Sequence, residues 1–292
     1  VHELVPALLA ASLAACTTQT PTNAELPAEA APAAGSGVGS KVGEKAPLVR
    51  VELALVDPAA RARLATRLAA ESGPEGPLAN ADALVAVRHE IEPGWHIYWQ
   101  NPGESGLRTK LAITATHASA GAVLYPAPER FTSEGGQVTY GWSHEAVLFV
   151  PLTKLEAGAS LELTSSYLAC AQSCIPGSTT LTAKLDELPI ASDPTTLAML
   201  ERVPEPAGER VAAAWADGKL TVTPRGELEL AELFPLSTDT ALLGKQVAAA
   251  DALELHYRFT GSPPDGAQGV LRATLAGEPR WLELDVAWPE SK

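Results

Sequence analysis

The sequence predicts an all-β protein built from antiparallel sheets. Three observations carry this. Apolar and polar side chains alternate at period two in many short runs, turn signals separate those runs, and the long helical crossovers required by a parallel sheet are missing. The 24 prolines and 23 glycines suit short strands and turns better than long helices. With 292 residues, 46% of them hydrophobic, the chain suffices for one large domain or two of ordinary size.

Order is expected to begin near Leu48, where Val49-Arg50-Val51-Glu52-Leu53-Ala54-Leu55 alternates. Asp57-Pro58 supplies a helix cap and a first-turn proline, and Leu64 and Leu68 follow among alanines and arginines. Residues 59–72 therefore read as a surface helix over an edge of the sheet, stopped by Gly73-Pro74. Strand signals resume at residues 84–89, at Trp95-His96-Ile97-Tyr98-Trp99, and at residues 110–116, 146–152, 160–167 and 179–185. Trp95 and Trp99 lie four apart, so in a strand they share a face and fill the core, which turns His96 the other way. Residues 189–209 are Pro-rich and acidic and read as a linker with a short helix at 195–202. A second strand-rich region, residues 210–292, alternates at 220–223, 228–230, 252–259, 269–275 and 281–288 and is long enough for a second small β-sandwich. His256 within it reads as an outward-facing strand residue rather than a ligand.

The first forty residues speak of location. Residues 4–15 are apolar or small and end in Leu13-Ala14-Ala15-Cys16, which resembles a bacterial lipoprotein signal. That implies a signal peptide over 1–15, lipid on Cys16, and a flexible tether over 16–47. Val1-His2-Glu3 departs from the pattern by lacking positive charge, and a plain secretory signal or an incidental apolar tail are the alternatives. The apolar run is too short for an ordinary membrane span. Thr17 resembles the residue that follows the cysteine in lipoproteins sorted to the outer membrane, so the expected location is the periplasm, lipid-anchored to that membrane. A net charge of -14 without any lysine-arginine cluster argues against a nucleic-acid partner.

If Cys16 carries lipid, Cys170 and Cys174 remain as a pair in an oxidising compartment, and a disulfide is the default. The spacing is not that of a thioredoxin centre. Zinc would need two further ligands, with His144 or His96 recruited only by guesswork, and the single methionine, Met199, offers no thioether site for copper. No cofactor is expected, and no serine-histidine-acid set or paired carboxylates suggest a hydrolase. Three uses of the pair stay open: redox exchange, a structural staple in an interaction or assembly module, and metal binding. Closing so short a loop contributes of order 2 kcal/mol, which makes a purely stabilising purpose less persuasive. Cys170-Ala171-Gln172-Ser173-Cys174 contains no lysine, arginine or histidine to lower a thiol from its ordinary value near ~8.5, so such a group must come from the fold.

Four stretches carry a family resemblance. They are Gly94-Trp95-His96-Ile97-Tyr98-Trp99-Gln100-Asn101-Pro102-Gly103-Glu104-Ser105-Gly106; Tyr125-Pro126-Ala127-Pro128-Glu129-Arg130-Phe131; Val138-Thr139-Tyr140-Gly141-Trp142; and Tyr167-Leu168-Ala169-Cys170 through Cys174-Ile175-Pro176-Gly177. Together they resemble the N-terminal periplasmic region of the transmembrane thiol-disulfide interchange proteins, and within them the copper-sensitivity-suppressor branch. Leu233-Phe234-Pro235 and residues 281–286 resemble the second sandwich of that branch. The resemblance implies two immunoglobulin-like β-sandwich domains, with residues 48–188 as the interchange domain. It also implies exchange through Cys170 and Cys174 with thioredoxin-like partners, Cys174 forming the mixed disulfide with the electron donor. Glu129, Phe131 and Glu134 fall nearest the loop that caps the cysteines in that family. The three-residue spacing is shorter than in the best-studied relatives. Neither the membrane electron-carrier domain nor the terminal thioredoxin domain is found in this sequence, so a separate protein is expected to reduce the pair.

Overall fold

The chain is described by a computed structural model over residues 47–287, apart from residues 73–75, 79, 217, 237–240, 250 and 261–265. The expected signal peptide, Cys16, residues 16–46 of the expected tether, the Gly73-Pro74 stop signal and residue 288 lie outside the described residues.

Strand β1 (Val49–Val56) is followed by helix α1 (Pro58–Ser72), then β2 (Ala83–Ile91), β3 (His96–Gly103), β4 (Lys110–Thr116), β5 (Ser119–Ala120), β6 (Glu129–Thr132) and β7 (Val138–Ser143). Next come β8 (Glu145–Thr153), β9 (Ser160–Cys170), β10 (Cys174–Lys184) and β11 (Ile190–Ala191). Helix α2 (Pro194–Glu201) and β12 (Glu205–Pro206) lead into β13 (Val211–Ala216), β14 (Lys219–Pro224), β15 (Leu228–Pro235), β16 (Ala241–Ala248), β17 (Leu253–Phe259), β18 (Gly266–Leu275) and β19 (Glu278–Ala287). The fold is thus predominantly β, as the alternation predicts.

The strands form four sheets. The first runs β11-β1-β2-β8-β5, the second β10-β9-β3-β7-β6 with β4 also on β9, the third β12-β19-β18-β15, and the fourth β13-β14-β17-β16. The named strands pair antiparallel except β1 with β11 and β12 with β19. Residues 84–87 of β2 and 146–152 of β8 are buried without a break, because the helices contact these strands and close the first sheet's other face. Helix α1 offers Ala60, Leu64 and Leu68, an i, i+4, i+8 stripe, for that purpose. Its cap is Asp57, whose Oδ1 accepts from the amides of Ala59 and Ala60 at 3.0 Å each. By contrast β4 and β10 alternate between half-buried and exposed, as strands with one wet face do.

The first two sheets share a core that contains Val85, Val87, Ile97, Trp99, Trp142, Leu148 and Leu163. A buried polar link crosses it: His89 of β2 lies 2.7 Å, Nε2 to Oγ, from Ser165 of β9, and both residues are 0% exposed. The second strand-rich region has its own core around Leu220, Leu233, Leu255, Leu271 and Leu282, yet residues 46–292 form one unit. Phe234 and Val270 belong to the first core rather than the second. The Phe234 ring meets Tyr140 edge-on at 5.7 Å, and Asn101 Nδ2 donates to the Pro235 carbonyl at 2.6 Å. Residues 189–209 are part of this packing, since Met199, Leu200 and Val203 are buried in the first core. Among the described residues no helix is long and apolar enough to cross a membrane.

Candidate redox site

Cys170 ends β9 and Cys174 begins β10, and the two are opposite each other in the ladder of that hairpin. They are joined by a disulfide with Cα atoms 4.1 Å apart. Ala171, Gln172 and Ser173 make the turn, closed by the Ala171 amide donating to the Ser173 carbonyl at 3.0 Å. The two cysteines meet solvent unequally: Cys170 is 2% exposed, whereas Cys174 is an exposed residue.

Side-chain parity decides which face carries the bond. Ile97, Trp99 and Ala169 point into the core, so the intervening His96, Tyr98 and Cys170 point to the outer face of the second sheet. In register, Cys174 faces Cys170, Cys170 faces His96 of β3, and His96 faces Ser143 of β7. Opposed residues in antiparallel strands project to the same side, so these four form one row across four strands. Trp99 is buried in the core while Trp95, just before β3, is half-buried and packs against it, and His96 turns outward.

The cap candidates separate in the structure. Phe131 of β6 stacks on the His96 ring, centroids 4.8 Å apart and planes 25° from parallel. Tyr98 meets the same imidazole edge-on at 5.1 Å. Glu129 lies at the far end of the row, where its Oε2 accepts from the Ser143 hydroxyl at 2.8 Å and the Ser143 amide at 3.3 Å. Glu134 is exposed in the β6–β7 turn, whose ends are tied by the Ser133 amide donating to the Gln137 carbonyl at 3.0 Å. Phe131 is therefore brought beside the cysteines' neighbour, and the two acids are not. His96 is the titratable side chain that the fold sets opposite Cys170; its outward turn was readable, but its position there needed the β3–β9 register.

Two glycines of the shared motifs hold this arrangement. Gly106 sits at φ +103° with the Tyr98 ring against it, and a Cβ there would lie 2.4 Å from ring carbons. Gly177 faces Tyr167 across the hairpin, and a Cβ would lie 2.4 Å from that ring. Tyr167 points inward, where its hydroxyl donates to the Val49 carbonyl at 3.4 Å.

Electrostatically, burial pushes the His96 imidazole below its ordinary value. Burial pushes the Tyr98 phenol up, partly offset by a hydrogen bond with Ser105. A shallow depression lined by Trp95, His96, Ala171, Gln172 and Ser173 opens beside the turn. Among the described residues, no cluster of three or more His, Cys, Asp or Glu side chains could hold a metal ion.

A disulfide thus closes a hairpin end in a predominantly β domain, with Cys170 buried and Cys174 exposed. Residues 74–186 match the family described as thiol:disulfide interchange protein DsbD, N-terminal. Among solved structures, the N-terminal periplasmic domain of ScsB from Proteus mirabilis matches with a TM-score of 0.57 and 17% identity, covering 82% of this chain and 94% of that one. This likeness extends the shared fold beyond the family segment. The reduced DsbD N-terminal domain of Neisseria meningitidis matches at 19% identity over 37% of this chain and 80% of that one, with a TM-score of 0.27. No curated protein matches.

Proposed function

We propose that the Cys170–Cys174 disulfide exchanges with the dithiols of thioredoxin-like partners in the periplasm, electrons being supplied by a separate protein such as a membrane electron-carrier domain. The observation that carries this reading is the unequal exposure of the two disulfide-bonded cysteines. A partner thiolate attacks Cys174 Sγ, a bond forms between them, and the old S–S pair of electrons leaves with Cys170 Sγ. The partner's second thiolate then attacks the partner sulfur of the mixed disulfide, and Cys174 departs as a thiolate. The partner ends oxidised and the domain reduced by two electrons; the reverse sequence passes them to an oxidised partner.

The hairpin supports this over a staple. β9 and β10 are each 11 residues long and paired along their length, so a bond at the end of that ladder adds little restraint. The family of residues 74–186 supports it as well. The finer architecture is part of the same proposal. Residues 48–188 form an immunoglobulin-like sandwich that performs exchange, 189–209 the connector, and 210–292 a second small sandwich. A lipid on Cys16 would hold the protein at the outer membrane.

Stopped-flow mixing of the oxidised protein with a reduced thioredoxin-like protein tests the reading. Rapid reduction is the expected outcome, and Cys170→Ser mixed instead with the oxidised partner forms a mixed disulfide through Cys174 as one partner sulfur leaves as a thiolate. Loss of stability on reduction without any exchange would make the domain an assembly module with a structural bond.

A further inference from the structure

We propose that His96 is the proton acceptor and donor for Cys170, and that Phe131 holds its ring in place for that purpose. This rests on the exchange reading above and adds a residue to it. Buried Cys170 is the leaving thiolate when the protein is reduced and the resolving thiol when it is oxidised, and a thiolate formed out of contact with water needs a proton source beside it. His96 lies directly opposite Cys170 in the β3–β9 register, on the same face of the sheet. Opposed Cβ atoms in such a pair are about 4.5–5.5 Å apart, which makes the two side chains direct neighbours on that face.

The other groups on this face do not serve. Tyr98 shares β3 and the ring cluster, but burial raises its phenol further from neutrality. On β7, Ser143 is committed to Glu129 of β6, and that carboxylate already accepts two hydrogen bonds. Gln172 and Ser173 of the turn do not titrate near neutrality, Arg108 meets Tyr98 through a backbone β-bridge and is itself exposed, and His144 projects from an exposed turn at φ 64°. His96, by contrast, is clamped between Phe131 and Tyr98 and borders the depression beside the turn, through which it exchanges protons with water. Burial lowers its proton affinity, so at pH 7 it is mainly the neutral base.

In the oxidising direction, neutral His96 takes the Cys170 proton, and the Cys170 thiolate attacks Cys174 Sγ in the mixed disulfide. The Cys170–Cys174 bond forms, the bond to the partner breaks, and the partner leaves as a thiolate. In the reducing direction, the imidazolium returns the proton to Cys170 as the disulfide opens.

The test uses the full chain, reduced and then mixed with oxidised glutathione between pH 5 and 9, with capture by Cys174 and resolution by Cys170 followed separately by mass spectrometry. Wild type resolves with an inflection below about 6.5. His96→Phe, which preserves the aromatic stack, captures glutathione at the wild-type rate, slows resolution about 10²-fold at pH 7 and loses the inflection. His96→Gln shows the same loss, and NMR titration of the wild-type His96 ring, which needs no variant, shifts between oxidised and reduced protein. Resolution at the wild-type rate and pH profile in either variant, or a ring titration indifferent to redox state, would overturn the proposal. Absence of any mixed disulfide in the wild type would instead defeat the exchange reading on which it rests.

Discussion

Cys170 and Cys174 face each other at the end rung of the β9–β10 ladder, and one bond joins a buried residue to an exposed one. Sequence spacing treats the two alike; the sheet does not. Cys170 is packed on the outer face beside His96, while Cys174 follows the turn into solvent.

This asymmetry predicts unequal single variants. Cys170→Ser leaves the accessible thiol, and Cys174→Ser leaves the covered one. Alkylation by iodoacetamide at pH 8, read by mass spectrometry, is expected to be about ten-fold faster for Cys174 in the first variant than for Cys170 in the second. Equal rates would show that burial does not direct attack.

Phe131 predicts a second difference. Its ring stacks on His96, so Phe131→Ala removes the contact that steadies the group next to Cys170. Because Phe131 is only half-buried, the loss of stability should be about 1 kcal/mol. The reduced protein should nevertheless alkylate at Cys170 several-fold faster, a comparison of rates in folded protein that thermal denaturation can accompany.

His89 predicts an acid sensitivity unrelated to the redox pair. Complete burial lowers its pKa to about 4 in the folded protein, against an ordinary value near 6.5 when unfolded. Between those values the unfolded chain binds the extra proton, so this stability is complete above about pH 6.5 and is lost as pH falls toward about 4. Urea unfolding at pH 7.5 and 4.5 should differ by about 2–3 kcal/mol more in wild type than in His89→Gln. An equal pH dependence in both would contradict the buried neutral imidazole bonded to Ser165.

Gly141 predicts a backbone limit. A Cβ there would lie 2.0 Å from the Ile97 carbonyl oxygen, and neither strand can yield without disturbing the β3–β7 register. Gly141→Ala should cost about 3 kcal/mol or more in denaturant unfolding and displace His96 with β3.

Much of this was legible in the chain. The period-two runs placed β1, β2, β3, β4, β8 and β9, and the Asp57-Pro58 signal with Leu64 and Leu68 placed α1. Strands β13 and β16 were missed because Val211-Ala212-Ala213-Ala214-Trp215 and Ala241-Leu242-Leu243-Gly244-Lys245 lack clean alternation. Their pairing comes from neighbouring strands rather than from local pattern. β10 begins earlier than expected, at Cys174, because the ladder with β9 runs on through Pro176 and Gly177, residues of low strand propensity. At the site, the cysteines and Phe131 were readable, whereas the pairing of His96 with Cys170 was not. Seventy-odd residues separate them, and register between distant strands is set by core packing. Likewise Phe234 and Trp281 looked like core of a second domain, but the Phe234 ring bridges to Tyr140 at the seam and Trp281 lies 5.3 Å from the Arg202 guanidinium.

The central claim is that the Cys170–Cys174 bond is an exchange centre rather than a staple. Its reduction potential decides between them most directly. Equilibration of the purified protein in thiol–disulfide buffers, with the reduced fraction read by mass after alkylation, should give a value between about −270 and −120 mV, the range of exchange proteins. A value below about −300 mV, where structural disulfides lie, would contradict the account.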